Sequence, residues 1–395
     1  MPGSSFQPAG ELAGVPQIGV GVIGYGFMGR AHSLGYKRQI DAYWPPKVLP
    51  RLLAICGRNG ERVRAAAQRW GYEGYYTDWR ELIADPAVRI VDNCTQPFLH
   101  AEPSLAALAA GKHVLCEKPL APTLAEARQM RDAARQSGKV HMTGLNYRFV
   151  PAIRLAYEIV QSGALGELQL FRASYLQEFR RDPTMPALSG SPEGRGRGVV
   201  GNLGAHAIDL AYHLVGDIAR VSGVVVNHIA RRPAAAGASE LIPEKEEDTA
   251  HGLLEFANGV TGFVEATQVA TGRKNQLVLE INGSRGSLRF DLERLNELQV
   301  YLLDEQDPLK MGFRDIVVTE GAHPLLKHWW PRGHVLAWEN TFVGELNHLL
   351  TCVAEGRQAG PEGASFEDGY KAALVGEALR VSSREGHRVD VQSLE

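Results

Sequence analysis

A glycine-rich turn between a short strand and a helix is the feature that most constrains how this chain can fold. The turn reads Gly24-Tyr25-Gly26-Phe27-Met28-Gly29 and directly follows the β-branched segment 18–23. In such a G-x-G-x-x-G turn the first glycine permits a tight bend, the second lets a pyrophosphate approach, and the third lets the helix pack on the strand. The helix N-terminus attracts the phosphates. The turn predicts a dinucleotide site formed by these six residues; the alternative is a purely structural turn in a sequence with 43 glycines.

Strand and helix signals alternate through the first third of the chain. Strands are predicted at 18–23, 51–56, 89–94, 113–116 and 140–145, and helices at 28–40, 61–70, 101–110 and 124–137. This alternation is typical of a parallel sheet covered by helices on both faces. We therefore expect a doubly wound Rossmann domain at residues 17–147, preceded by a loose tail at residues 1–16.

The remainder of the chain, residues 148–395, carries a different pattern. Strand signals lie at 168–179, 221–229, 252–270, 276–281, 287–291 and 298–303, and helices are predicted at 203–215, 339–355 and 366–383. Few helices interrupt the strands, which indicates an α+β domain with a large, mainly antiparallel open sheet. Its open face predicts a homo-oligomer, a dimer or tetramer. The Ala-, Pro- and Glu-rich segment 231–247 is expected to be an exposed loop.

The charge balance and the cysteines exclude several classes of protein. Lys and Arg total 42 against 45 Asp and Glu, a net charge of −3, which argues against nucleic-acid or anionic-membrane partners. The four cysteines are widely separated, so we expect no disulfide framework and a cytoplasmic location. No apolar run is long enough to span a membrane. We also expect no metal site, since His206 and Asp209 have no evident third ligand.

The end of the second predicted strand bears on the choice between NAD and NADP. This position usually carries an Asp or Glu that binds the ribose of NAD. Here it reads Cys56-Gly57-Arg58-Asn59, without an acid. Arg58 could face a 2′-phosphate, stack on adenine, or be a solvated loop cation. The cofactor is therefore predicted as NAD(P), with the sequence slightly favouring NADP.

Two further segments lead to a family resemblance. Glu117-Lys118-Pro119 follows a predicted strand, and the segment 201–209 reads GNLGAHAID. Together with the glycine turn they resemble the Gfo/Idh/MocA oxidoreductase family, with its E-K-P and G-D-x-G-x-H-x-x-D motifs. The segment Ala31-His32-Ser33-Leu34 and the segment 323–339 resemble the levoglucosan and inositol dehydrogenase-like branch of that family. The resemblance covers nearly the whole chain.

The resemblance implies that Lys118 is the catalytic lysine. Oxidation of a secondary alcohol needs a proton acceptor, and burial or a neighbouring cation can lower the pKa of a lysine enough for this role. Glu117 could position Lys118 through an ion pair, or be a solvated acid. Lys118 is thus expected to bind the substrate hydroxyl and remove its proton.

Asn202 and His206 are the predicted partners of Lys118 in catalysis and substrate binding. The family usually has Asp where this chain has Asn202, and an amide can hydrogen-bond a hydroxyl but cannot take its proton. The base role therefore shifts to Lys118 and His206. Asn202, His206 and Asp209 follow i, i+4, i+7 spacing and are expected on one helix face, where Asp209 could orient His206 or anchor the helix.

Other positions match the family as cofactor or substrate contacts. The loop 95–100 resembles T-P-N-x-x-H, so Thr95, Gln96 and His100 are expected near the cofactor together with Glu117, Lys118 and Asn146. Tyr147 and Gln177 are expected to contact substrate, with packing an equal alternative for Tyr147. Trp329, Trp330 and His334 could wall the pocket, or equally pack in the core or at a subunit interface.

The resemblance implies an NAD(P)-dependent dehydrogenase that oxidises a secondary hydroxyl of a sugar or cyclic polyol, of the inositol, monosaccharide or anhydrosugar class. An NAD-dependent, redox-neutral glycosidase is an alternative, disfavoured by the E-K-P lysine. A non-catalytic sugar or nucleotide sensor is a second alternative, disfavoured by Lys118 and His206. Four arginines near the expected pocket leave an anionic substrate open: Arg180, Arg181, Arg195 and Arg197.

Overall fold

A computed structural model of the chain describes residues 12, 14–304, 306–326 and 329–395. The expected N-terminal tail at residues 1–16 lies mostly outside the described residues. No helix in the described part of the chain is both long and apolar enough to cross a bilayer.

The N-terminal domain is a six-stranded parallel sheet between helices. Its strands are β1 (Gln17–Ile23), β2 (Leu49–Cys56), β3 (Gly74–Tyr76), β4 (Ile90–Asn93), β5 (His113–Glu117) and β6 (His141–Gly144). Its helices are α1 (Phe27–Ala42), α2 (Gly60–Trp70), α3 (Trp79–Ala84), α4 (Ala101–Ala109) and α5 (Leu124–Ser137). The strand order is β3-β2-β1-β4-β5-β6, with all neighbours parallel. The predicted Rossmann sheet is confirmed.

The strands and helices missed in this domain are short. Strand β3 has three residues and α3 has six, too few for a periodic pattern to be recognised. The predicted helix ends are confirmed where glycine adopts the left-handed conformation, with φ of 75° at Gly71 and 64° at Gly138. Thr123 caps α5 by accepting a hydrogen bond from the Glu126 backbone N–H, as its sequence predicts.

The C-terminal part contains a nine-stranded, mainly antiparallel sheet. Its elements are α6 (Pro151–Gln161), β7 (Leu168–Leu176), α7 (Ala205–Leu214), β8 (Ile218–Val226), β9 (Arg231–Pro233), β10 (Leu241–Pro243), β11 (Thr249–Phe256), β12 (Thr261–Thr267), β13 (Gln276–Gly283), β14 (Gly286–Asp291), β15 (Glu297–Leu302), β16 (Arg314–Val317), α8 (Asn340–Glu355), α9 (Phe366–Glu385) and β17 (Val389–Asp390). The strand order is β16-β15-β14-β13-β7-β12-β11-β8-β17, and β7 and β12 are its parallel pair. The predicted strand 252–270 is a hairpin, β11 and β12.

The segment 231–247 is exposed at its tip, residues 235–237 and 239–241, as its composition suggests, but it is not wholly a loop. It forms the small hairpin of β9 and β10, and Arg232 within it is 1% exposed. The Arg232 guanidinium donates to the backbone carbonyls of Arg180 and Asp182. Glu244 is also buried and accepts hydrogen bonds from Arg180 and the Leu188 backbone. Hydrogen bonds and charge pairing, which leave no hydrophobic periodicity in the sequence, thus bury Arg232 and Glu244 at the base of the hairpin.

Helix α8 connects the end of the chain with the N-terminal sheet. Its residues Leu346 and Leu349 belong to the same buried cluster as Val20 and Val22 of β1. If the chain is divided at residue 147, α8 belongs to the second domain by its position in the sequence. Its buried side chains, however, pack on the N-terminal sheet. The loops at the carboxyl ends of β4 and β5 therefore face α7 and α8 across a cleft.

Candidate active site

The glycine turn has the geometry that a dinucleotide requires. Gly24 has φ of 106°, and a Cβ built on it would lie 2.7 Å from the Cys94 carbonyl oxygen. A Cβ on Gly29 would lie 2.1 Å from the Gly24 carbonyl oxygen, so α1 packs closely on the turn. A Cβ on Gly26 would meet no atom within 4 Å. Gly26 therefore faces open space at the start of α1, where no side chain caps the helix and a phosphate could bind.

A cleft of about 660 Å³ joins this turn to the C-terminal domain. Twelve of the sequence-predicted site residues line it: Gly26, Phe27, Met28, Thr95, Gln96, Glu117, Lys118, Asn146, Tyr147, Gln177, Asn202 and His206. Residues from β4, β5, β6, β7 and α7 thus meet at one edge of the N-terminal sheet. Ligands of open α/β sheets bind at this carboxyl edge.

Lys118 follows the last residue of β5 and reaches across the cleft to Asn202. Its Nζ lies 2.7 Å from the Asn202 carbonyl oxygen and 2.9 Å from Asn202 Oδ1. Asn202 lies in a π-helical turn, Val200–Gly204, that opens α7, a type of irregularity frequent at functional sites. Burial lowers the pKa of Lys118, and the charge of Glu117 opposes this effect.

His206 lies beside Lys118 as a neutral imidazole. Burial and the nearby Lys118 hold the pKa of His206 well below its ordinary value. Its ring packs on Tyr147 with a centroid distance of 4.4 Å, and its buried Nδ1 has no hydrogen-bond partner among the described residues. An unpaired ring nitrogen in a cleft is available to a ligand hydroxyl.

Asp209 does not share this site with His206. Its carboxylate instead receives hydrogen bonds from the Arg148 guanidinium at 2.5 to 3.2 Å, and Arg148 also pairs with Asp368. Of the two roles that the sequence left open for Asp209, these contacts favour the anchoring of α7 over the orientation of His206. The irregular turn before α7 and the buried cation at Arg148 decide this, and neither can be read from residue spacing.

Glu117 is not a solvated acid, because its side chain is buried. Its Oε2 accepts a hydrogen bond from the Lys118 backbone N–H at 3.1 Å, and its Oε1 lies 3.0 Å from His32 Nε2. Glu117 thus contacts the main chain of Lys118. Sequence analysis did not assign a role to His32, although it lies in the family-like segment 31–34.

The wall opposite Lys118 is polar and aromatic. The hydroxyl groups of Tyr147 and Tyr175 lie 2.8 Å apart, and the Tyr175 hydroxyl donates to Asn275 Oδ1 at 2.8 Å. Gln177 Nε2 donates to the same Asn275 oxygen. Tyr175 and Asn275 were not predicted, because Asn275 comes from a loop almost 100 residues away in the chain. Their hydroxyl and amide groups suit a polyhydroxylated ligand.

Among the residues that the structure describes, Trp338 is the tryptophan in the lining of the cleft. Its ring stacks on Phe27 with a centroid distance of 5.6 Å, and its buried indole N–H has no hydrogen-bond partner in the described part of the chain. Trp329 instead lies near Arg38, and Trp330 and His334 are exposed. The expectation that these three residues wall the pocket is corrected to Trp338, which lies in the same predicted segment, 323–339.

The remaining predicted cofactor residues surround the cleft. His100 is buried behind it, with its ring nitrogens 2.7 Å from the Pro119 carbonyl and 3.1 Å from the Thr95 carbonyl. The Tyr25 ring packs over Gly57, and Arg58 is exposed at the end of β2. His100 therefore joins two loops of the cleft, while Tyr25 and Arg58 lie at its outer end.

Comparison with known proteins identifies the family. Residues 18–145 match the oxidoreductase family Gfo/Idh/MocA with an NAD-binding Rossmann fold, and residues 153–289 match the Gfo/Idh/MocA C-terminal domain. The chain is 38% identical to levoglucosan dehydrogenase from Pseudarthrobacter phenanthrenivorans, over 95% of this chain and 99% of that protein. The chain belongs to the Gfo/Idh/MocA family. It is therefore an enzyme of the NAD-binding oxidoreductases.

Other members of the Gfo/Idh/MocA family support the same assignment. Myo-inositol 2-dehydrogenase from Thermotoga maritima is 27% identical, over 95% of this chain and 99% of that protein. The solved structure of a levoglucosan dehydrogenase in complex with NADH and L-sorbose superposes with a TM-score of 0.90. It is 38% identical and covers 95% of this chain and 99% of its own. The predicted family and its sugar and inositol dehydrogenase branch are confirmed.

Gly26→Ala tests the glycine turn as the phosphate site. The added methyl group meets no protein atom, so the free energy of unfolding is expected to change by less than about 0.5 kcal/mol. Coenzyme affinity is expected to fall about tenfold or more, about 1.4 kcal/mol, because the methyl group occupies the path of the phosphate. Titration calorimetry with NADH and NADPH and a thermal melt measure both quantities. Gly321→Ala, also in open space, is the matched control; equal affinity in the two variants contradicts the assignment.

Proposed function

We propose that this oxidoreductase transfers hydride from a secondary hydroxyl of a cyclic sugar or polyol to a nicotinamide coenzyme, with Lys118 as the base. The observation that carries this proposal is the position of the Lys118 amine. It lies in one cleft with the open glycine turn and is bound by two uncharged oxygens of Asn202. Bound nicotinamide supplies the hydride acceptor in this family's chemistry.

The two contacts to Asn202 prepare Lys118 to accept a proton. A neutral amine has two N–H bonds and one lone pair. If both N–H bonds donate to Asn202, at 2.7 and 2.9 Å, the lone pair is left for the substrate hydroxyl. Because Asn202 carries no charge, it orients the amine and stabilises the ammonium form less than a carboxylate at this position would.

The other polar groups of the cleft bind the substrate. The unpaired Nδ1 of His206 and the indole N–H of Trp338 are available for sugar hydroxyls. Tyr147, Gln177 and Asn275 supply further donors and acceptors on the opposite wall. The faces of Trp338 and Tyr147 suit the apolar C–H faces of a sugar ring.

Anhydrosugars are the substrate class that we place first. The support is the levoglucosan dehydrogenase relative, which is similar over nearly its full length, and the superposable structure that binds L-sorbose. Inositols come second, through the more distant inositol dehydrogenase. The four arginines offer little support for an anionic substrate, since three of them pair with acids: Arg180 with Glu244, Arg181 with Glu178 and Arg195 with Glu126.

Lys118→Met tests the base. It keeps most of the side-chain stem, so folding is expected to persist, while kcat falls about 10²- to 10⁴-fold, the usual contribution of general-base catalysis. Reduction of coenzyme is followed spectrophotometrically with levoglucosan, monosaccharides and inositols. Lys310→Met, an exposed lysine outside the cleft, is the control. Activity of Lys118→Met above about a hundredth of wild type removes Lys118 from this role, and sugar release without net coenzyme reduction points to a glycosidase.

The pH profile tests how Lys118 is tuned. Burial disfavours the ammonium form, so kcat/KM for oxidation is expected to rise with pH through an apparent pKa below the ordinary lysine value of about 10.4. Asn202→Asp places a carboxylate beside the Lys118 amine and stabilises its ammonium form. The rising limb of the pH profile is therefore expected to move to higher pH by about 1 unit or more. A limb that Asn202→Asp leaves in place contradicts the proposed contact.

We infer that Arg58 contacts the adenosine end of the coenzyme. It is exposed beyond the C-terminal end of β2, next to the Gly57 backbone on which Tyr25 packs. No acid occupies the ribose position of this turn, and a guanidinium there suits the 2′-phosphate of NADP. The related levoglucosan dehydrogenase structure contains NADH, so both coenzymes enter the test.

Arg58→Ala is expected to lower kcat/KM with NADP by about 10- to 100-fold, the loss of a charge-assisted hydrogen bond, and with NAD by less than about threefold. Initial rates with each coenzyme measure the two ratios. Arg62→Ala, exposed on the neighbouring helix α2, is the control. Equal losses with both coenzymes would assign Arg58 to adenine stacking, and no loss with either would show that it makes no contact.

We propose that copies of the chain associate through the open face of the nine-stranded sheet. Leu253 and Phe263 are cross-strand partners on β11 and β12 and are 65% and 37% exposed. Val224 on the adjoining strand β8 is 55% exposed. A contiguous apolar patch of this kind is typical of an interface.

Leu253→Glu with Phe263→Glu is expected to convert the oligomer to monomers, because the two charges would be buried without partners. Light scattering of the wild type and the variant measures the mass. Leu309→Glu, which alters an exposed leucine away from this patch, is the control and should keep the wild-type mass. A monomeric wild type overturns the proposal.

We also infer a reducing, cytoplasmic setting. Cys56, Cys94, Cys116 and Cys352 are all buried and unpaired in disulfides. Buried thiols of this kind are typical of proteins that fold in a reducing compartment.

A further inference from the structure

A chain of buried hydrogen bonds runs behind the cleft and ends at the backbone of Lys118. The Asp92 carboxylate lies 2.9 and 3.0 Å from His32 Nδ1, and His32 Nε2 lies 3.0 Å from Glu117 Oε1. The other oxygen of Glu117 accepts the Lys118 backbone N–H at 3.1 Å. His32 and Asp92 are fully buried, and Glu117 is nearly so. Helix α1, strand β4 and strand β5 each contribute one member.

The geometry indicates that His32 is an imidazolium. A neutral imidazole has one N–H, whereas both ring nitrogens of His32 face carboxylate oxygens. Both contacts are hydrogen bonds when the ring carries two protons. The Asp92 charge acts in the same direction and raises the pKa of His32 well above its ordinary value, although burial opposes it.

The groups around His32 come from four elements or loops. Asp92 and the Cys94 thiol lie on one side, with Cys94 Sγ 3.3 Å from His32 Nδ1, and Glu117 lies on the other. Glu345 on α8 is fully buried, and neither of its oxygens has a hydrogen-bond partner among the described residues. Burial raises the pKa of Glu345 well above its usual range and so favours its neutral form. The Tyr36 and Tyr72 hydroxyls are also buried nearby with raised pKa, so the charges facing His32 are those of Asp92 and Glu117.

We propose that His32 is a positioning residue for the dehydrogenase reaction: it holds Glu117 against the Lys118 backbone and offsets the Glu117 charge beside the catalytic amine. This inference rests on the proposed function of Lys118. Glu117 on its own stabilises the ammonium form of Lys118, which is the inactive form for oxidation. The positive ring of His32, one hydrogen bond away from Glu117, weakens that effect.

Packing gives this chain of contacts little freedom. Phe342 of α8 packs on the His32 ring with a centroid distance of 5.4 Å. On the far side, a Cβ built on Gly144 of β6 would lie 2.7 Å from Glu117 Oε1, so the backbone of β6 closes directly on the carboxylate. The Glu117 side chain can therefore adopt few other positions, and His32 and the Lys118 backbone bind its two oxygens.

His32→Gln tests the proposal through the pH profile of kcat/KM. Loss of the positive charge leaves Glu117 uncompensated, so the limb assigned to Lys118 is expected to move to higher pH by about 1 unit. In a Glu117→Gln background the same substitution is expected to leave the limb unmoved, because His32 acts through Glu117. His348→Gln, at a half-buried histidine of α8 whose ring bonds the Ala359 carbonyl, is the matched control and should leave the limb in place.

The outcomes separate a positioning role from a merely structural one. The proposal is overturned if His32→Gln lowers kcat/KM without moving the limb of the pH profile, or moves the limb to lower pH. It is also overturned if the limb moves equally in the Glu117→Gln background. A shift that depends on Glu117 supports it.

A second measurement needs neither activity nor a folded His32 variant. NMR of wild-type protein with isotope-labelled histidine is expected to show one buried imidazolium that keeps both protons at a pH where an ordinary histidine is already neutral. Glu117→Gln should move that resonance. Absence of such an imidazolium overturns the inference about His32. Its presence in a protein that oxidises no sugar or polyol would overturn the proposed function alone.

Discussion

The contact between Lys118 and Asn202 is the interaction on which the candidate active site depends. Lys118 follows β5 of the N-terminal sheet, and Asn202 lies in the π-helical turn that opens α7. The amine thus joins the two parts of the chain through two uncharged oxygens. Such a bridge orients the amine and leaves its pKa to be set by burial and by Glu117. The base and the coenzyme turn share one cleft because of this contact.

Buried charged groups hold the surrounding elements in place, each with a partner from a distant segment. Arg148 binds Asp209 of α7 and Asp368 of α9, which fixes two C-terminal helices to the end of the N-terminal sheet. Arg180 and Glu244 form a buried pair that joins the segment after β7 to the small hairpin of β9 and β10. Removing one partner of such a pair leaves an uncompensated buried charge, so these contacts constrain the position of each element strongly.

Most of the fold could be predicted from local patterns, and about half of the residues that line the cleft from those patterns together with the family resemblance. Residues 17–145 alternate between strand and helix signals, and Lys118 follows a strand in a recognisable motif. The short elements β3 and α3 were missed because a few residues show no period. The spacing of Asp209 left two roles open, and only its buried partner Arg148, 61 residues away in the chain, favours the anchoring of α7. Tyr175, Asn275 and Trp338 were missed because nothing local marks them as neighbours of Lys118.

The sequence by itself determined the glycine turn, the parallel sheet and a lysine at a strand end, because each depends on residues within one or two elements of the chain. Only the tertiary structure decided which polar groups meet. Lys118 and Asn202 are 84 residues apart, and His32 and Glu117 are 85 apart. Burial requires such pairs, because an unpaired charge or hydrogen-bond donor in the interior costs free energy. The local sequence pattern around one member does not indicate which residue is its partner.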